Sequence, residues 1–254
     1  MGEAERMHEA LRTMTERLCD VFEQARFERR DGYDLLVFPL VPVPQFNGVW
    51  PLDDSAAASL GEALDEIEQL GLPYSVQIRR GRTPAFEGEA RRLGLTAEEP
   101  MPGMVATPED LHGPELPELE IIRVETADGL AQGLAVAAAG FGAPADLLAP
   151  LYLLETAAVD GLEYYLGRVD GRDVSTSVGY TVDDTVGVFN VATPAEHRGR
   201  GYGAALTKQA AREGFAAGAD LAWLQSSAMG LSVYRRLGFR EAETYALLTR
   251  PSPS

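Results

Sequence analysis

The sequence predicts an α+β protein with a mixed, mainly antiparallel central sheet flanked by helices. Three observations predict it. Short apolar, β-branched runs bounded by Gly, Pro, Asn and Asp recur along the 254-residue chain, which is the pattern of buried strands. Two pairs of such runs meet at Asp-Gly, as Asp31-Gly32 and Asp170-Gly171, the strongest short-range sign of an antiparallel hairpin. Helical patterns fall between the runs, so that the C-terminal part reads strand, two helices, three strands, helix, strand, helix, strands. That mixture belongs to α+β folds.

Taken in order, residues 3–27 carry a helical pattern, with Met7, Leu11, Met14 and Leu18 at three- and four-residue spacings. A hairpin follows over 27–39, and Phe46–Trp50 is a short strand. Asp54 or Ser55 caps a helix over 56–70, closed by Gly71. A strand over 74–78, a helix over 84–93 ending at Gly94, and a strand over 101–106 complete this half. From Thr107 to Glu118 the composition turns to Pro, Glu, Gly and His without periodicity, which marks a linker. The expected domains are therefore 1–113 and 114–254. The second begins with a strand over 119–125, continues with helices over 127–141 and 144–158, and has antiparallel strands over 162–169 and 173–182. A buried strand over 186–192 and a helix from Ala204 come next. A strand over 221–225, a short helix over 229–237 and one or two final strands over 239–250 end the pattern.

Composition narrows the function classes. The apolar content of 45% suits a packed core. The net charge of −17 argues against a nucleic-acid surface, which needs a basic patch. Such acidity suits a cationic amine substrate, and solubility explains it equally well. No run has the length of a membrane span, and the charged start lacks an apolar leader core. Cys19 is the only cysteine, so an internal disulfide and a thiolate metal cluster are excluded. His8, His112 and His197 are far apart and offer no metal-ligand spacing. These features predict a soluble cytoplasmic protein that uses no metal, with no nucleic-acid or membrane partner.

The most informative stretch is 186–203. An apolar strand ends at Pro194, a polar turn follows, and Arg198-Gly-Arg-Gly-Tyr-Gly203 leads into a helix. Glycines there let successive backbone N–H groups point into one concavity at a helix N-terminus, a site for phosphate or pyrophosphate. Arg198 and Arg200 add mobile positive charge. A Walker loop is excluded, because Gly203 is followed by Ala204-Ala205 and not by Lys-Ser/Thr. The dinucleotide fingerprint Gly199, Gly201, Ala204 is present nominally, but that motif needs its first glycine directly after the strand, and residues 194–198 intervene. A bare Gly-x-Gly also serves as an ordinary tight turn.

At this point the segment 119–250 resembles the GNAT superfamily of acyl-CoA-dependent N-acyltransferases. Arg198-Gly-Arg-Gly201-Tyr-Gly203 is similar to that family's Arg/Gln-x-x-Gly-x-Gly/Ala after a strand. A second similarity is Gln225-Ser-Ser-Ala-Met-Gly-Leu-Ser-Val-Tyr234-Arg-Arg-Leu-Gly238-Phe239, which looks like its late helix with a tyrosine and a terminal Gly-Phe. The N-terminal half echoes the same unit as a worn copy. It has Gly71 to Gly94 in place of Gly218 to Gly238, with acidic Pro51-Leu-Asp-Asp-Ser where a pyrophosphate loop would lie, and hence no cofactor site.

The resemblance implies acetyl-CoA as cosubstrate. Backbone amides of Arg198, Gly199, Arg200, Gly201, Tyr202 and Gly203 would hold its pyrophosphate. Val191, Ala192 and Thr193 would pair through their backbones with the pantetheine arm, on a strand that splays from its neighbour, often at a bulge. Tyr234 would protonate the leaving thiolate, a task suited to a phenol that is neutral at pH 7. Ser227 stands where many members carry an asparagine that contacts pantetheine, and a hydroxyl makes fewer of those bonds. The general base is less direct. Asn190 stands where some members have a glutamate, so the acceptor's proton would leave through water to Glu155 or Glu163. Tyr164 and Tyr165 alternate on the faces of one strand, one for the core and one for the acceptor cleft. Trp50 and Trp223 read as core residues.

The expected function is N-acetyl transfer from acetyl-CoA to a primary amine, of a small molecule or a protein, by direct attack. The alternative is a non-catalytic CoA or acyl-CoA sensor or interaction module. Whether the chain is a monomer or a homodimer is not encoded in these motifs.

Overall fold

The computed structural model describes residues 1–251. The chain forms two compact units: one of Met1–Met14 and Gly103–Ala242, the other of Thr15–Pro102 and the segment from Glu243 onward. Helix α1 (Glu3–Cys19) opens the chain. It ends well before residue 27, and the chain passes through turns to β1.

In the second unit, β1 (Arg26–Arg30) and β2 (Tyr33–Val37) form the Asp31-Gly32 hairpin, with Gly32 at φ 80°. β3 (Asn47–Pro51) pairs antiparallel with β2, and β4 (Ser75–Arg79) pairs parallel with β3. The crossover between them is a 3-10 turn, Asp54–Ser59, followed by α2 (Leu60–Glu68). Its buried Leu60, Ala63, Leu64 and Ile67 follow the helical period and pack on Val49, Val76 and Ile78. α3 (Pro84–Arg92) and β5 (Ala97–Ala106) complete this half of the sequence.

The first unit carries β6 (Glu120–Val124), α4 (Ala127–Phe141), α5 (Ala145–Leu148), a 3-10 turn over Ala149–Tyr152, and α6 (Leu154–Ala157). One helix was expected over 144–158. Pro150 removes an amide donor there and Leu153 is extended at ψ 157°, so the segment breaks into short turns. β7 (Leu162–Val169), β8 (Arg172–Val182) and β9 (Thr185–Ala192) follow as an antiparallel meander. α7 (Tyr202–Ala216) then crosses to β10 (Leu221–Gln225), which runs parallel to β9, and α8 (Leu231–Arg236) leads to β11 (Arg240–Thr249). The strand order is β5-β10-β9-β8-β7-β6, a mostly antiparallel sheet flanked by helices. α7 buries Ala205, Leu206, Ala210 and Ala211 against Val186, Val188 and Tyr165. α4 packs on the strands β7 to β9.

The two halves of the chain have the same order of elements: three antiparallel strands, a crossover, a parallel strand, a helix and a last strand. Each last strand pairs in the unit of the other half. Gly103–Ala106 of β5 lie against β10, and Tyr245–Leu248 of β11 lie against β4. Among the described residues no single helix is long and apolar enough to cross a membrane; α4 and the turns after it are jointly apolar but bend by 117°.

Candidate active site

The site forms where β9 and β10 separate. Their parallel register runs from Leu221↔Thr185 to Trp223↔Gly187 and ends there, although β9 continues to Ala192 and β10 to Gln225. On its other side β9 is bulged. Thr176 faces Ala192 and Val178 faces Phe189, so Asn190 and Val191 together oppose Ser177. Asn190 takes φ 48°, a left-handed conformation that asparagine tolerates better than most residues. The bulge turns the strand away from its neighbour and frees ladder positions on Val188–Ala192 for an added strand. Beneath it, Phe189 stacks edge-on over Trp223 with ring centroids 5.0 Å apart.

Because β9 and β10 are parallel, their C-terminal ends share one end of the sheet. Residues 193–201 leave from the first and the α8 segment from the second, so the glycine loop and Tyr234 flank the same opening. The loop is tightly held at its base. Ser175 Oγ donates to the Ala192 carbonyl at 2.9 Å and lies 2.9 Å from Thr193 Oγ1. Arg198 Nε donates to the Thr193 carbonyl at 3.0 Å and its Nη2 to the Gly140 carbonyl at 2.6 Å. The mobile charge expected of Arg198 is therefore corrected: this guanidinium is a strut between the loop and the end of α4. Arg200 is exposed and, among the described residues, has no partner, so it is the cation left for an anionic ligand.

Gly199 and Gly201 take φ 78° and 86°. These left-handed values turn the backbone twice just before α7 begins. The first turn of α7 holds no acidic residue, which preserves the positive end of its dipole. Tyr202 is buried in the core and offers only its amide. A side chain at Gly203 would press on Thr193 Oγ1 and Val191 Cγ1, so glycine lets the helix start lie close to β9. The corresponding place after β3 is built oppositely. Asp53 accepts from Ser55 N at 2.8 Å, and Asp54 accepts from Ala85 N at 3.0 Å and Phe86 N at 3.3 Å. Carboxylates occupy those helix starts, and Asp53, rather than Asp54 or Ser55, caps the first of them.

Tyr234 lies on α8, edge-on to Phe239 at 6.2 Å. Desolvation pushes its phenol up to about 12, and among the described residues the hydroxyl has no hydrogen-bond partner. It is a proton donor throughout the neutral range. Ser227 is exposed; its Oγ accepts from Gly230 N at 3.2 Å and its carbonyl from Leu231 N at 3.2 Å. The serine thus closes the turn that precedes α8, with only its own hydroxyl hydrogen free to donate.

The carboxylates named for the base differ sharply. Glu163 pairs with Arg123 at 2.7 Å and accepts from the Tyr165 hydroxyl, and Tyr165 belongs to the core under α7. Glu155 is exposed on α6 and has no partner among the described residues. Tyr164 points to the other face, where its hydroxyl donates to the Leu151 carbonyl at 2.5 Å and its ring lies 5.4 Å from Tyr152. Tyr152 went unnoticed in the sequence; its only signal was a place in an apolar helical pattern. Trp50 and Trp223 are core residues. Among the described residues no group of three or more His, Cys, Asp or Glu could hold a metal.

Residues 167–242 match the family described as Acetyltransferase (GNAT) domain. Among solved structures, a GCN5-related N-acetyltransferase from Kribbella flavida is similar over 96% of both chains, with a TM-score of 0.70 and 22% identity. One from Sphaerobacter thermophilus covers 89% of this chain and 84% of its own, with a TM-score of 0.61 and 18% identity. A GCN5-related N-acetyltransferase-like protein from Streptococcus suis 89/1591 covers 98% and 100%, with a TM-score of 0.56 and 11% identity. At these identities the likeness is one of fold. No curated protein matches the sequence.

Proposed function

We propose that this chain, whose residues 167–242 match the Acetyltransferase (GNAT) domain family, moves an acetyl group from acetyl-CoA to a primary amine. The observation that carries the reading is the early end of the β9–β10 register beside a bulge at Asn190. Such an opening suits an extended pantetheine arm, and in this reading the amides of 199–203 hold the pyrophosphate.

In this reading the backbone of Val191, Ala192 and Thr193 pairs with the arm, and Arg200 supplies the exposed charge beside the phosphates. The acceptor nitrogen attacks the thioester carbonyl, the C–N bond forms and the C–S bond breaks. Tyr234 gives its proton to the departing sulfur. The acceptor must arrive as a free amine, and Glu155, unpartnered, is the carboxylate able to take its proton through water. Positioning and preorganised backbone donors supply most of the acceleration.

The N-terminal half reads as a copy of the same unit that has lost its anion site. Its element order supports that reading, as do the Asp53 and Asp54 carboxylates at its helix starts. A second reading is a CoA-binding module without turnover. It draws on Glu163 being held by Arg123 and on Asn190 standing in place of a carboxylate. Thiol release from acetyl-CoA across an amine panel separates the two: release with any amine supports transfer, whereas CoA binding without release supports the module.

A further inference from the structure

Helix α7 presents Lys208, Gln209 and Arg212 on one face, at the spacing of a single helical turn. Between that face and Leu116 and Ile121 lies a cavity of about 130 Å³, room for a molecule of roughly six non-hydrogen atoms. Lys208 is the only lysine of the chain, and its side chain is 7% exposed. A lysine is seldom buried without a partner. Its Nζ donates to the Gly113 carbonyl at 3.3 Å and to Glu115 Oε1. Arg212 Nη1 lies 3.9 Å from the same oxygen, too far for a hydrogen bond. Two cations one turn apart on a helix repel, yet these converge on one carboxylate oxygen.

That oxygen belongs to a side chain 81% exposed, on the irregular segment before β6. Glu115 is thus an anion that the surface supplies to an otherwise cationic end of the cavity. Turned into water, it would leave a buried ammonium without its counter-charge, an arrangement that favours another anion in its place. We propose that the cavity is a binding site for a small carboxylate of propionate size, which replaces Glu115 between Lys208 and Arg212. Two ligand oxygens serve both cations, where Glu115 hydrogen-bonds only one, and the short chain lies against Leu116 and Ile121. The cavity adjoins the back of the glycine loop, because a side chain at Gly201 would lie 3.4 Å from Pro114 and 3.6 Å from Leu116. It contains none of the residues assigned to CoA, and the inference is independent of acetyl transfer.

The test is calorimetric titration of propionate, propionamide and inorganic phosphate into the full chain and its variants, in buffer free of carboxylates. Removing a carboxylate should strengthen the binding of one: Glu115→Ala is expected to bind propionate about tenfold more tightly than the wild type, because the competing anion is gone. Adding Lys208→Met to Glu115→Ala should abolish that binding. Adding Arg212→Ala, at an exposed position, should weaken it, and this variant decides the matter if the lysine variant fails to fold. Propionamide, alike in shape but uncharged, should bind to none of them, and saturating CoA should leave the propionate affinity unchanged. Propionate binding that is no tighter in Glu115→Ala, that survives both cation variants, or that propionamide equals would overturn the site. Phosphate binding as tightly as propionate would overturn its assignment to carboxylates. Exclusion of propionate by CoA would make the cavity part of the cofactor site, which also overturns the proposal.

Discussion

Arg198 Nη2 donates to the Gly140 carbonyl at 2.6 Å while Nε of the same guanidinium donates to the Thr193 carbonyl at 3.0 Å. One side chain thereby ties the start of the glycine loop to the negative end of α4. It also accounts for two arginines two residues apart with different tasks: Arg198 shapes the loop, and Arg200 meets solvent.

Replacing Arg198 by alanine should weaken CoA binding about tenfold, near 1.4 kcal/mol, because the loop loses its strut. Lysine should recover only part of this, since a single ammonium cannot span both carbonyls as a planar fork does. Arg200→Ala should weaken binding in a way that fades as salt is raised, as expected of an exposed charge. Titration with CoA at two ionic strengths distinguishes them, and equal salt dependence for both variants would contradict this division.

Tyr234→Phe should lower thiol release about 100-fold and leave CoA affinity unchanged. The phenol also predicts a pH effect on stability. Its folded value is raised from 10.0 to about 12, so the proton-bound fold is favoured. That contribution is complete below pH 10 and is lost as pH rises toward 12. The wild type should lose stability relative to Tyr234→Phe across that window and not below it; parallel denaturation curves at pH 8 and 11 would count against the desolvated phenol.

The order of elements along the chain, both Asp-Gly hairpins, α4, β7 and β10 were legible because period and turn chemistry are local. So was the glycine loop, since its conformation requires glycine at 199 and 201 whatever surrounds it. The bulge at Asn190 was not readable from periodicity: an asparagine in a strand pattern does not announce φ 48°. The role of Arg198 was hidden for a different reason, as its partner Gly140 is 58 positions away. Tyr152 was lost with the helix expected over 144–158, which Pro150 breaks. The exchange of last strands between the halves is a tertiary choice that no local pattern records.

Asn190 separates backbone from side chain. Asn190→Gly should keep the bulge, the melting temperature to within about 1 kcal/mol of stability, and CoA affinity. Asn190→Ala must hold a left-handed conformation that costs about 1–2 kcal/mol, and should melt lower. If glycine proves as destabilising as alanine, the bulge is held by the amide side chain instead.

In the other unit, Arg79 and Glu243 form a buried ion pair at 2.7 Å, with side chains 7% and 6% exposed. Glu243→Leu alone should cost about 3–5 kcal/mol, by taking the carboxylate away from a buried guanidinium. The double change Arg79→Met with Glu243→Leu should recover most of it. Urea denaturation of the single and double variants provides the check; an additive double loss would mean that packing, not charge pairing, dominates there.

The most direct test of the central claim is thiol release from acetyl-CoA by the full chain across a panel of primary amines, with Tyr234→Phe alongside. The account predicts release that needs both the amine and acetyl-CoA, yields the N-acetyl product, and nearly vanishes in the variant. Tight CoA binding with no release for any amine would contradict it.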